Sequence, residues 1–99
     1  MRIVSRATLK EFWEQPIYSD SEQPLKAWHE ETKKADWNSP QDIKNQYRNA
    51  SFVGNNRVVF NIHGNKYRLV IAINYSFSIC YIRFIGTHQN YDKIDAATI

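Results

Sequence analysis

The chain has 99 residues, 42% of them hydrophobic, which is enough for one core and too little for a separate cofactor or regulatory domain, so residues 1–99 are expected to form a single domain. Its one cysteine, Cys80, excludes an internal disulfide and a cysteine-rich zinc site, and no apolar run is long enough to span a bilayer or to form a signal-peptide core, so a cytoplasmic location is expected, with no membrane partner. The net charge is +3, and the excess lies wholly in the second half: residues 1–55 carry eight Lys/Arg against eight Asp/Glu, and residues 56–99 carry five against two. That asymmetry fits a surface facing a polyanion, and it also fits an ordinary solvated face.

In chain order, residues 2–5 read as a short strand. Thr8 and Glu11 have capping-box spacing for a helix carrying Leu9, Phe12 and Trp13, which Pro16 ends. A second helix starts near Ser21 with Glu22 in its first turn, and Leu25, Trp28, Thr32 and Ala35 recur at helical spacing while Glu30, Glu31, Lys33 and Lys34 form the wet side. Ser39-Pro40-Gln41-Asp42 combines an N-cap serine, a proline at the first helical position and an early acid, which starts a third short helix with Ile43 and Tyr47 inward. Trp13, Trp28 and Trp37 are expected in the core or an interface.

The period then changes. Residues 57–63, 66–75 and 77–85 are rich in β-branched and aromatic side chains and largely alternate, which predicts three antiparallel strands. A Gly64-Asn65 turn pairs His63 with Lys66, Asn61 with Arg68 and Phe60 with Leu69. That register sends Val58, Phe60, Ile62, Tyr67, Leu69, Ile71 and Ile73 to one face and Arg57, Asn61, His63, Lys66 and Arg68 to the other. A tight turn at Tyr75-Ser76 adds Cys80, Ile82 and Phe84 to the covered face and brings Arg83 beside Arg68, since the alternative register buries an unpaired arginine. The expected architecture is α+β: a curved, mainly antiparallel sheet of about four strands, with the N-terminal-half helices on one face and a concave basic face on the other.

On that basic face Arg57, His63, Lys66, Arg68 and Arg83 gather around Tyr81, and the last strand runs into Gly86-Thr87-His88-Gln89-Asn90-Tyr91-Asp92-Lys93. Cutting RNA without a metal needs a base for the 2′-hydroxyl, cations for the phosphorane-like transition state and an acid for the departing 5′-oxygen. His88, Tyr91, Asp92 and Lys93 are the candidates for proton transfer, and Arg57, Lys66, Arg68 and Arg83 for phosphate contact. Tyrosine and arginine can also stack on a splayed base. Each has a plainer reading: Lys66 and Arg57 as solubilising residues near strand ends, His63 as a surface residue beside a turn. His29, His63 and His88 have no metal-ligand spacing, and no P-loop, dinucleotide fingerprint or serine nucleophile elbow is present, so no metal or cofactor is expected.

The segments Ala35-Asp36-Trp37-Asn38-Ser39-Pro40-Gln41-Asp42-Ile43-Lys44, Val58-Val59-Phe60-Asn61-Ile62, Asn65-Lys66-Tyr67-Arg68-Leu69-Val70, and Tyr81-Ile82-Arg83-Phe84-Ile85-Gly86-Thr87-His88 with Tyr91-Asp92-Lys93-Ile94 resemble a HigB-type toxin of the RelE-like superfamily in order, spacing and length. The resemblance spans nearly the whole chain. It implies a RelE-like fold, cleavage of mRNA in the ribosomal A site, growth inhibition, and neutralisation by a HigA-type antitoxin through whose DNA-binding domain the complex reaches operator DNA. It singles out His88 and Arg68 first, with Tyr91, Asp92, Lys93, Lys66 and Arg83 behind them. The small net charge implies weak affinity for free RNA and reliance on the ribosome to present the message. The competing expectation is a non-catalytic module, a degenerate toxin that binds RNA or antitoxin through the same face.

Overall fold

Apolar spacing and proline placement divide the first half of the chain much as the sequence predicts. In the computed structural model, which describes all of residues 1–99, strand β1 (Arg2–Val4) leads into α1 (Arg6–Trp13), α2 (Glu22–Lys34) and α3 (Pro40–Gln46). Leu9, Phe12 and Trp13 on α1, Leu25, Trp28 and Thr32 on α2, and Ile43 on α3 are buried, the stripe that seats an amphipathic helix on a sheet. The helix starts differ from expectation. Helix α1 begins ahead of Thr8, behind a Ser5 in left-handed conformation (φ 73°) whose side chain caps nothing. Pro16 opens a 3-10 helix, Pro16–Ser21, and the Ser21 hydroxyl donates to the Tyr18 carbonyl (2.7 Å), so it does not cap α2. At α3 Ser39 stands at the N-cap position but its side chain caps nothing, and the Asp42 carboxylate instead reaches back to accept the Asn38 N–H (2.9 Å) ahead of the helix.

The second half supplies β2 (Ser51–Val53), β3 (Arg57–Ile62), β4 (Tyr67–Asn74), β5 (Ile79–Thr87) and one helical turn, α4 (His88–Tyr91). The strand order is β1-β5-β4-β3-β2, antiparallel throughout except for the parallel pair β1–β5. That is one strand more than expected. Strand β2 is too short for alternation to reveal it, and it is joined to β3 by a turn in which Asn55 and Asn56 take positive φ (60° and 58°), a conformation asparagine tolerates.

The β3–β4 hairpin has the predicted register, with Asn61 opposite Arg68 and Phe60 opposite Leu69. Its ladder stops at Ile62–Tyr67, and the tip turns through His63 and Gly64, both at positive φ (55° and 66°). The β4–β5 connection is longer than the expected tight turn: residues 75–78 form it, the Asn74 side chain accepts the Phe77 N–H (3.1 Å), and Ile73 pairs with Cys80. The register therefore moves by two residues, an even shift that leaves Cys80 and Ile82 facing the helices. A bulge follows. Ile71 pairs with Ile82 but Val70 with Phe84, so Arg83 is the extra residue and the inside–outside alternation reverses beyond it. As a result Arg83 does not lie beside Arg68, whose partner is Gly86, and Phe84 turns away from the helices while Ile85 packs toward them. The bulge keeps Arg83 exposed without sacrificing the burial of Ile82.

The helical face holds the main core. Phe60 is its hub, in contact with Trp28 (ring centroids 5.5 Å), Trp37 (6.1 Å) and Tyr47 (5.2 Å), and the Trp37 indole N–H donates to Gln46 (3.0 Å). Cys80 is fully buried in this cluster, and burial pushes its thiol up to about 12. The opposite face was expected to be open, but the segment after α4 runs back across it: Ala96 packs on Val59 and Val70, with Val53, Phe84, Tyr91 and Ile99 around them. The apolar residues that alternation puts on this face require that cover.

Candidate functional site

Alternation on β3, β4 and β5 aligns Asn61, Arg68 and Gly86 at one end of the strapped face. From there β5 runs into α4, which packs against both β4 and β5. A reciprocal cap fixes the junction: the Thr87 hydroxyl oxygen accepts the Asn90 N–H (3.1 Å), and the Asn90 side-chain oxygen accepts the Thr87 N–H (3.4 Å) and hydroxyl (2.8 Å). His88 and Asp92 then stand one helical turn apart with Nδ1 and Oδ2 at 3.4 Å, and both are more than half exposed. Tyr91 turns inward onto Phe84, centroids 6.5 Å apart.

Gly86 lets this arrangement close up. A Cβ there would lie 2.6 Å from Phe84 Cζ and 3.3 Å from Asn90 Cβ, so the Phe84 ring lies across the bare glycine as a floor under α4. Arg68 faces that glycine across the ladder. Its Nη1 donates to the Asn65 carbonyl of the hairpin tip (3.0 Å) and, at the limit of hydrogen bonding, to Tyr67 (3.5 Å), which leaves Nε and Nη2 without an acceptor in the chain. The helical turn that carries His88, Tyr91 and Asp92 therefore starts two residues beyond Gly86, the ladder partner of Arg68, and Lys93, exposed, follows it.

The remaining candidates are placed elsewhere. His63 and Lys66 do not share Arg68's face. Both lie beyond the ladder, where alternation no longer governs direction, and both reach the 3-10 helix: Lys66 Nζ donates to Asp20, and His63 Nε2 lies 3.7 Å from the same carboxylate. The fully buried Tyr67 also donates its hydroxyl to Asp20, and these two donors hold the Asp20 carboxyl below its usual range. Arg57 lies at the far end of the face. Its Nε (2.9 Å) and Nη2 donate to the main-chain oxygen of Ile99 and its Nη1 to Asn55 (2.9 Å), so it anchors the strap. Arg83 lies at the bulge, exposed, with its guanidinium 5.6 Å over the Tyr81 ring.

Three participants escaped the sequence reading: Asp20, Asn90 and Phe84. Asn90 carried a legible signal, since Thr87-x-x-Asn90 has capping spacing ahead of a turn, whereas Asp20 has no local signal because its partners are more than forty residues away. No three His, Cys, Asp or Glu side chains converge as a metal site, and no helix is long and apolar enough to cross a membrane. The largest hollow, about 510 Å³, lies among Arg6, Lys10, Trp13 and Lys26, and neither it nor the smaller ones is lined by Arg68, His88 or Asp92, so the His88 end is an open rim. Such a rim admits a polymer more readily than it encloses a small molecule.

No curated protein sequence matches the chain. The profile of the HigB toxin family, described as the RelE-like toxic component of a toxin-antitoxin system, matches residues 21–94, a stretch that contains α2, α3, the hairpins and the whole His88 rim. The α+β architecture is that of a RelE-like toxin, and the chain belongs to the HigB toxin family, which implies an antitoxin as its partner.

Proposed function

We propose that this toxin is an endoribonuclease that cleaves mRNA on the ribosome and thereby stops translation and growth, acting in the cytoplasm until a HigA-type antitoxin neutralises it and carries the complex to operator DNA. The observation that carries the reading is the exposed His88–Asp92 pair, which starts two residues beyond Gly86, the ladder partner of Arg68, an arginine with free donors. In this reading Asp92, whose Oδ2 lies 3.4 Å from Nδ1, orients the imidazole and leaves Nε2 to accept the proton of a 2′-hydroxyl. The 2′-oxygen attacks phosphorus while Arg68 faces the phosphoryl oxygens, where negative charge builds in the transition state. The P–O5′ bond breaks, and Lys93 or Tyr91 supplies the proton that the leaving 5′-oxygen takes. The products are a 2′,3′-cyclic phosphate and a 5′-hydroxyl end, and the route consumes no cofactor. Arg83, stacked on Tyr81, offers a second contact for RNA along the sheet.

The test is induced expression of the wild type beside His88→Ala, with transcript ends mapped and protein levels matched. Growth arrest with discrete cyclic-phosphate ends that His88→Ala suppresses supports the reading. Equal toxicity of His88→Ala would instead leave a module that acts by binding alone. Parallel assays on free and ribosome-bound message test the ribosome's part, and efficient cutting of free RNA would remove it.

A further inference from the structure

We infer that Asp20 is a positioning residue for Arg68, acting through the tip of the β3–β4 hairpin. The inference rests on the endoribonuclease reading for its activity readout and on geometry for the rest. Asp20 lies in the 3-10 helix and touches nothing on the His88 rim. Its carboxylate accepts the Lys66 ammonium and the hydroxyl of the fully buried Tyr67, two consecutive residues that close the hairpin tip onto β4. His63, the first residue of the tip, faces the same carboxylate (3.7 Å). One acidic side chain from the helical layer thus holds the closing end of the tip and faces its first residue.

Between those ends lies Asn65, and its carbonyl is the acceptor that holds Arg68 Nη1 at 3.0 Å. A four-residue tip whose backbone already takes positive φ at His63 and Gly64 has little sheet pairing of its own; the Lys66 N–H to His63 carbonyl bond (3.2 Å) is its one internal closure. Its position therefore depends on the clamp. A shift of the tip moves the Asn65 carbonyl, and with it the guanidinium that faces the scissile phosphate. The clamp also occupies Lys66, which makes Lys66 part of the positioning device rather than a free phosphate contact. The Lys66–Asp20 pair is exposed, and it is the bond from fully buried Tyr67, whose hydroxyl has no other acceptor, that ties the carboxylate to the sheet.

The experiment is a double-mutant cycle in the full-length toxin freed from its antitoxin, measuring cleavage of ribosome-bound mRNA by wild type, Asp20→Ala, Arg68→Ala and the double variant, with the Arg68 guanidinium followed by NMR. Asp20→Ala is expected to lower kcat about tenfold with KM within twofold, to have no further effect once Arg68 is alanine, and to speed rotation about the Arg68 Nε–Cζ bond. Asp20→Asn, which can still accept the Tyr67 hydroxyl, recovers part of the rate. Additive losses in the cycle, or an Arg68 signal unmoved by Asp20→Ala, overturn the inference. If the wild type cuts no RNA, the endoribonuclease reading fails, while the NMR comparison still decides whether Asp20 holds Arg68.

Discussion

Arg57 and Arg68 lie on neighbouring strands and the same face of the sheet, and both are half-buried, yet the chain treats them in opposite ways. Arg57 directs both edges of its guanidinium at main-chain carbonyls and fastens residues 92–99 over Val59 and Val70. Arg68 gives one nitrogen to carbonyls at the hairpin tip and leaves the rest of its fork without an acceptor in the chain. A guanidinium has five donors in a fixed geometry, so the number still unoccupied after folding separates a strut from a ligand contact. A strand position and a positive charge do not make that separation.

The comparison can be tested most sharply where the expected effect is largest. His88→Ala should reduce cleavage of ribosome-bound mRNA by about 10²–10⁴-fold, the span of a general base, while the melting temperature stays put because the side chain is exposed. Arg68→Ala should reduce it by about 10²–10³-fold, as loss of a transition-state donor does. Arg57→Ala should reduce cleavage far less, but should lower stability in urea by about 1–3 kcal/mol by leaving the part-buried main-chain oxygen of Ile99 without a donor. Equal losses of cleavage from the two arginines, with stability unchanged, would erase the distinction. Gly86→Ala forces the Phe84 ring from beneath α4 and should destabilise by about 1–3 kcal/mol, with a loss of activity as the His88–Asp92 pair moves relative to Arg68.

The smallest effect concerns acid. Asp20 has a lowered pKa in the folded protein, so its contribution is complete above the ordinary carboxylate range and is lost as pH falls through the lowered value. Hairpin-tip amide shifts should therefore titrate below the ordinary aspartate range, and Asp20→Asn should abolish that titration. A tip that does not respond would show that the clamp contributes nothing to its position.

Much of the architecture was legible because it rests on short periods. The seat of α2 follows from Leu25, Trp28 and Thr32, and the first hairpin follows from Phe60 opposite Leu69 across a glycine-containing turn. The failures occurred where a period is interrupted. One extra residue at Arg83 reverses every side chain after it, so Phe84 was placed on the wrong face although Cys80 and Ile82 were not. His63 and Lys66 lie past the end of a ladder, where extrapolated alternation has no physical basis. The strap over Val59 and Val70 was hidden because residues 92–99 have no regular period, though the apolar residues of that face demanded a cover. Within the rim, His88, Asp92 and Arg68 were readable as residue types near a strand end, whereas their mutual placement depends on Gly86 and the Thr87–Asn90 cap.

The parallel pairing of β1 with β5 also orders events in time. Arg2, Ile3 and Val4 are made more than seventy residues ahead of their ladder partners Ile79, Cys80 and Tyr81, so β1 has no strand to pair with until β5 is made. The rim residues His88 to Lys93 come directly behind that last strand. A growing chain therefore gains the strand that completes its sheet and its proposed nuclease groups within a few residues of each other, so the sheet closes at about the moment those groups arrive.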